Sequence, residues 1–85
     1  MIVDLQRFIA EERPCWQELE ALLARLDADL ACRLSLTEVR RLHYLYQRTS
    51  ADLARVATFS AEPEMRRYLE ALVGRTYGHV HAGAE

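Results

Sequence analysis

The sequence contains no lysine and no asparagine, and it is poor in residues that break helices or cross-link chains. It has three glycines, two prolines and two cysteines in 85 residues. Cys15 and Cys32 lack metal-site spacing, so we expect free thiols that pack rather than a disulfide or a ligand set. No apolar run approaches the roughly 20 residues that a membrane span needs. The sequence therefore predicts no transmembrane segment.

The sequence also lacks a large excess of charge of either sign. The net charge is -2, with 51% hydrophobic and 28% charged residues, and all 11 basic residues are arginine. A general nucleic-acid binder would carry a clear basic excess, so we expect no nucleic-acid partner. The first residues show no basic stretch before an apolar run and no cleavage site, so we expect a cytoplasmic protein.

Apolar residues recur at spacings of three and four, with no strand-like alternation, which predicts helices. We expect a single domain of three helices, at about residues 4–31, 36–59 and 61–82. Asp4 is a predicted N-cap, Ser35 and Glu38 form a predicted capping box, and Ser60 precedes the third helix. Pro14 is expected to kink the first helix because it lacks an N–H, although one bent helix is favoured over two separate ones.

The helices carry wide apolar stripes joined by short connections, which predicts an antiparallel three-helix bundle. The expected inward residues are Leu5, Phe8, Ile9, Trp16, Leu19, Leu23, Leu26 and Leu30; Val39, Leu42, Leu45, Tyr46, Thr49, Leu53, Val56 and Ala57; and Met65, Leu69, Leu72, Val73, Thr76 and Val80. Three long helices in one short chain would leave part of these stripes exposed to solvent. We therefore expect a homodimer that completes the core.

Few residues suggest chemistry. His79 and His81 point about 200° apart on a helix and should not share a metal. Glu12 falls within the first apolar stripe, where it is either an acid of raised pKa beside Pro14 or a carboxylate that reaches solvent or an arginine. We expect no catalytic, cofactor or metal site.

One face of the second helix carries Arg41, Tyr44, Arg48 and Arg55, which we call the docking strip. An arginine row of this kind is able to bind an acidic partner, lipid head groups or phosphates. The alternative is a solvated outer face partly neutralised by Asp52.

The third helix places Ala71, Gly74 and Gly78 on one side, which we call the close-packing face. Small residues let another helix approach closely, and glycine within a helix otherwise costs about 1 kcal/mol relative to alanine. An interface and simple tolerance of glycine both remain open.

The sequence also resembles the N-terminal cytosolic region of the stage II sporulation protein M family. The resemblance is carried by residues 45–48, 52–55 and 68–73, preceded by Phe8, Arg13, Pro14, Trp16 and residues 19–23. In that family a multi-helix membrane domain follows, the namesake supports membrane migration and cell-wall remodelling during engulfment, and no catalytic residue is carried over. This sequence stops at Glu85, before any membrane helix, so we expect either an excised domain or a stand-alone relative.

The leading hypothesis is a non-enzymatic helical interaction module that binds itself and a membrane-associated or acidic protein. As part of a longer membrane protein it would lie at the inner face of the membrane. The alternative is a small all-helical dimeric enzyme of the chorismate-mutase type, which binds a dianion with inward arginine and lysine; here lysine is absent and the arginines are expected to face outward.

Overall fold

Three α-helices account for nearly all of the chain that the computed structural model describes, which is residues 5–28, 33–59 and 63–82. The helices are α1 (Leu5–Ala28), α2 (Leu36–Phe59) and α3 (Pro63–Ala82). These bounds confirm the all-helical prediction, and no strand occurs within the described ranges. The predicted caps Asp4 and Ser60, and the buried position predicted for Leu30, lie outside them.

Both prolines of the chain are accommodated in helices. Pro14 lies inside α1, which continues through it as one helix, and its side chain is exposed. The kink expected there stays a prediction. Pro63 is the first residue of α3, where an N–H would have no partner inside the helix.

The start of α2 is fixed by the predicted capping box, which the structure confirms. The Ser35 hydroxyl accepts from the backbone N–H of Glu38 at 3.1 Å, and a Glu38 carboxylate oxygen accepts from the N–H of Ser35 at 3.0 Å. Arg25 of α1 also donates to Glu38, and this bond lowers the pKa of the Glu38 carboxyl below its usual value. The cap therefore also ties α2 to α1.

The core lies along the axis where all three helices meet. Each helix contacts the other two, as a three-helix bundle requires, and the molecule measures 45 × 20 × 19 Å. The buried apolar residues are Phe8, Trp16, Leu19, Leu22, Leu23, Leu42, Leu45, Val56, Leu69 and Leu72. None of the three helices is both long enough and apolar enough to cross a membrane.

Four positions differ from the predicted stripes. Leu22 is buried although it was not expected to be, whereas Val39 is 37% exposed and Ala57 is also exposed. Asp52, expected on the outer face of α2, is only 3% exposed. The three differences on α2 share one cause. Trp16 of α1 donates to Asp52, so the flank of α2 that carries Asp52 packs against α1 and is buried. Val39 and Ala57 lie on the opposite flank of the predicted stripe and are exposed.

Polar contacts join α3 to α1 at another seam of the bundle. The Tyr68 hydroxyl donates to Glu20 at 2.6 Å, and Arg75 donates to Asp27 at 2.7 Å. A ring nitrogen of His79 also lies 2.7 Å from Asp27. The hydrophobic core is thus flanked by interhelix hydrogen bonds on the α3 side as well as on the α2 side.

Candidate functional site

The docking strip lies along the seam between α1 and α2 instead of pointing away from the bundle. Arg41 donates through Nε and Nη2 to both oxygens of Glu18, at 2.6 and 2.7 Å. Arg48 donates in the same two-point way to Glu12, at 2.7 Å for each bond. Two-point guanidinium–carboxylate bonds fix the planes of both groups. Carboxylates of α1 therefore neutralise these two arginines, and Asp52 does not have the outer position expected of it.

Tyr44 stands between these two arginines with 43% of its surface exposed. The Arg41 guanidinium lies over its ring at 5.0 Å from the centroid, and that of Arg48 lies at 5.9 Å. Arg48 also donates to the Tyr44 hydroxyl. The ring is thus held by two cation–π contacts and a hydrogen bond, yet remains open to solvent.

Arg55 ends the strip and has a different environment. Its guanidinium lies 4.7 Å from the centroid of the Phe8 ring. No carboxylate of the described residues forms an ion pair with it, although its charge adds a small part to the lowering of the Glu12 carboxyl pKa that the hydrogen bonds from Arg48 mainly cause. Arg55 is consequently the cation of the strip whose N–H groups are most available to a partner.

Two open depressions follow the same seam. One, of about 380 Å³, is lined by Glu12, Tyr44, Gln47, Arg48, Ala51, Asp52 and Arg55. The other, of about 330 Å³, is lined by Glu18, Ala21, Leu22, Arg25, Thr37, Glu38 and Arg41. On α2 the first spans residues 44–55 and the second spans residues 37–41. The contact between Arg41 and Tyr44 therefore separates them.

Glu12 has an arginine partner, as one of the two interpretations of the sequence expected. It is 6% exposed, and the hydrogen bonds from Arg48 lower the pKa of its carboxyl although burial opposes this shift. The other interpretation, an acid of raised pKa, is wrong for this residue because the guanidinium stabilises the ionised form.

The carboxyl group with a raised pKa is that of Asp52, which the sequence analysis missed. Burial is the main cause that raises its pKa to about 6, and a hydrogen bond that its protonated form donates to the Glu12 carboxylate is the second, although Trp16 Nε1 donates to Asp52 Oδ2 at 3.0 Å. A signal was present in the sequence: Asp52 follows Thr49 by three residues and precedes Val56 by four. Both neighbours are buried, so helical spacing places Asp52 on the inner face.

The close-packing face of α3 is open to solvent. Ala71, Gly74 and Gly78 are all exposed. A Cβ added at either glycine would meet no atom within 4 Å. The fold of one chain therefore gives no packing reason for glycine at these two positions.

The two histidines of α3 have separate partners. His79 contacts Asp27, and the His81 ring packs against that of Tyr77 with centroids 4.1 Å apart. Among the residues described, no group of three or more His, Cys, Asp or Glu side chains is placed to hold a metal ion.

Comparison with known families places most of the chain in a described family. Residues 6–82 match a family described as a domain of unknown function, DUF8413. The chain belongs to the DUF8413 family. No curated protein and no solved structure matches it. The resemblance of this DUF8413 domain to the sporulation protein M family stays a prediction.

The geometry of the DUF8413 domain bears on what its arginines are able to do. An enzyme that binds a dianion needs cations that are free to receive it. Arg41 and Arg48 each already hold one carboxylate of α1 through two N–H groups, Nε–H and Nη2–H. A dianionic substrate that binds these two arginines in the same way would have to displace Glu18 or Glu12. No observation favours such a displacement over the docking of a protein surface. The enzyme alternative stays a prediction that a mutase assay on the purified domain would test.

Proposed function

We propose that this domain is a non-enzymatic protein-interaction module and that the docking strip is its binding surface. The observation that carries the proposal is the half-exposed Tyr44 ring, clamped between Arg41 and Arg48. Tyrosine and arginine are enriched among residues that dominate binding energy. Because Glu18 and Glu12 already hold both guanidinium groups, little side-chain freedom remains to be lost on binding.

The partner in this proposal is a membrane-associated or acidic protein. An acidic side chain would bind the N–H groups of Arg55, while Tyr44 and its two arginines offer a flat surface to apolar atoms. From Arg41 to Arg55 the strip covers about 21 Å, at 1.5 Å per helical residue. A partner helix of about four turns, or about six residues of extended chain, would cover that length.

We further propose that the domain acts at the inner face of a membrane, as the soluble part of a longer membrane protein. Support comes from the resemblance to the sporulation protein M family, in which such a region precedes the membrane domain. A homodimer is proposed on separate grounds. Leu36 and Tyr77 are 66% and 54% exposed, and the close-packing face lies open on α3.

Site-specific photo-crosslinking in the native host tests the docking strip without disturbing it. Gln47 is exposed and lines the larger depression, so a benzoylphenylalanine in its place would lie beside Tyr44 and Arg55. The matched control carries the same probe in place of Gln17, which is also an exposed glutamine but lines a depression between α1 and α3. We expect a cross-linked product of discrete mass from position 47 that position 17 does not give.

Two substitutions then decide whether the strip itself is responsible. Tyr44→Ala and Arg55→Glu should each abolish the cross-link at position 47 while the helical circular dichroism signal stays unchanged. These are preferable to reversing Arg41 and Arg48, because glutamate there would face Glu18 and Glu12 and unfold the seam. Equal cross-linking with and without the substitutions would refute docking on this surface.

A further inference from the structure

In the middle of the seam between α1 and α2, two carboxyl groups are buried beside one guanidinium that forms hydrogen bonds there. Glu12 and Asp52 are 6% and 3% exposed, lie on facing helices and line the same depression. Arg48 gives two of its N–H groups to Glu12 and a third to Tyr44. No ion pair to Asp52 is formed by the described residues. Two carboxylates so close and so buried would repel one another, so one of them favours its protonated form.

The groups around the pair come from all three helices. On α1, Trp16 donates to Asp52, and the neighbouring Cys15 carries a free, half-buried thiol. On α2, Arg48 and Arg55 are the cations that act on Glu12.

From α3, Tyr68 packs against the indole that donates to Asp52. The Tyr68 ring packs edge-on against Trp16 at a centroid distance of 6.0 Å. Its hydroxyl donates to Glu20, and burial together with that bond raises the pKa of Tyr68 to about 12, so it stays neutral near pH 6. Arg48 is thus the one described cation in hydrogen-bonding contact with the pair.

We propose that Glu12 and Asp52 form a proton-binding site that holds one shared proton in the folded domain, and that losing this proton near neutral pH weakens the packing of α1 against α2. The proton lies between the two carboxyl groups, on Asp52, and Glu12 stays ionised in its bonds to Arg48. When the proton leaves, both carboxylates compete for the one guanidinium. Arg48 is also the residue that holds the Tyr44 ring, so protonation is coupled to the geometry of the docking strip. The proton site itself does not depend on the docking function.

The direction of the effect follows from the two carboxyl groups. The pKa of Asp52 rises from its ordinary 3.8 to about 6 on folding, so the folded state holds the proton more tightly. Stability from this group is complete below pH 3.8 and is lost as pH rises through 6. Glu12 has the opposite sign, since its lowered pKa makes it stabilising above its ordinary value of 4.5. Between about pH 4.5 and pH 6, Asp52 therefore determines how the unfolding free energy changes with pH.

Urea unfolding followed by the fluorescence of Trp16, the one tryptophan of the chain, measures this directly. In the wild type we expect the folding equilibrium constant to fall as pH rises from 4.5 to 6, by up to about tenfold per pH unit, and then to level off. Asp52→Asn should remove that slope, because the amide keeps the shape of the side chain but does not titrate. The matched control is His79→Gln, since histidines also change charge in this range, and it should keep the slope.

A second measurement covers the case in which Asp52→Asn does not fold. Carbon NMR of side-chain carboxyl groups in the wild-type domain should show one aspartate with a titration midpoint near pH 6. Glu12→Gln should move that midpoint, because the neighbouring carboxylate is a named cause of the shift. If every aspartate and glutamate of the wild type titrates below pH 5, or if the stability slope persists in Asp52→Asn, the proposal is wrong.

Discussion

Trp16 donates a hydrogen bond from its indole Nε1 to Asp52 Oδ2, at 3.0 Å across the α1–α2 interface. The same indole is 1% exposed and packs edge-on against Phe8 of its own helix and Tyr68 of α3. One side chain therefore contacts all three helices. It also supplies the N–H that partly compensates for the burial of the Asp52 carboxyl.

Replacing this indole should be among the most damaging single changes in the domain. Trp16→Phe leaves a cavity between the three helices and deprives Asp52 of its donor, so we expect a loss of about 2–3 kcal/mol in unfolding free energy. Urea unfolding followed by circular dichroism measures it. Tyr77→Phe, at an exposed aromatic, should stay within about 0.5 kcal/mol of the wild type. Similar effects at both positions would contradict the central role of Trp16.

The interaction energy between Glu12 and Arg48 should be larger than that of an ion pair on the surface. The carboxylate side chain of this pair is 8% exposed and its guanidinium 40%, whereas in the pair of Arg66 and Glu70 the two side chains are 58% and 51% exposed. A double-mutant cycle with Glu12→Gln and Arg48→Met should give a coupling of about 1–2 kcal/mol. The same cycle on the α3 pair should give about 0.2–0.5 kcal/mol. Equal couplings would show that the seam is as well solvated as the outer surface.

The capping box of α2 offers a local test. Ser35→Ala removes the acceptor for the Glu38 N–H and should lower the unfolding free energy by about 1 kcal/mol. Thr37→Ala is the control, since Thr37 is exposed in the same helical turn. A Ser35→Ala variant as stable as the Thr37→Ala variant would mean that the bond from Arg25 to Glu38 holds the helix start by itself.

Local features of the sequence sufficed to predict the helices. The capping box at Ser35 depends on residues three apart, and the apolar stripes depend on spacings of three and four, so both are visible without knowing the fold. The docking strip was found in the same way, because its four residues share one side of α2. These features belong to single helices.

The partners of the strip could not be predicted in this way. Arg48 meets Glu12, and Trp16 meets Asp52, each across 36 residues of sequence. Such pairs depend on which flank of α2 faces α1, and no spacing within either helix specifies that. Because the flank of α2 that faces α1 was unknown, Asp52 was expected on the solvent-exposed face. For the same reason the sequence left two interpretations of Glu12 open.

The close-packing face allows a test that separates monomer stability from dimerisation. A Cβ at Gly74 or Gly78 meets no atom of the described chain within 4 Å, so Gly74→Ala and Gly78→Ala should each stabilise an isolated domain by about 1 kcal/mol through helix propensity. If this face instead packs against a second copy, the added methyl groups separate the two helices. The double variant should then shift the mass measured by light scattering from twice 9.8 kDa towards 9.8 kDa. Arg67→Ala, at an exposed residue one turn before Ala71, controls for a general change of the α3 surface. A stabilised double variant of unchanged mass would exclude this face as the dimer interface, because a close helix contact does not tolerate two added methyl groups without loss of affinity.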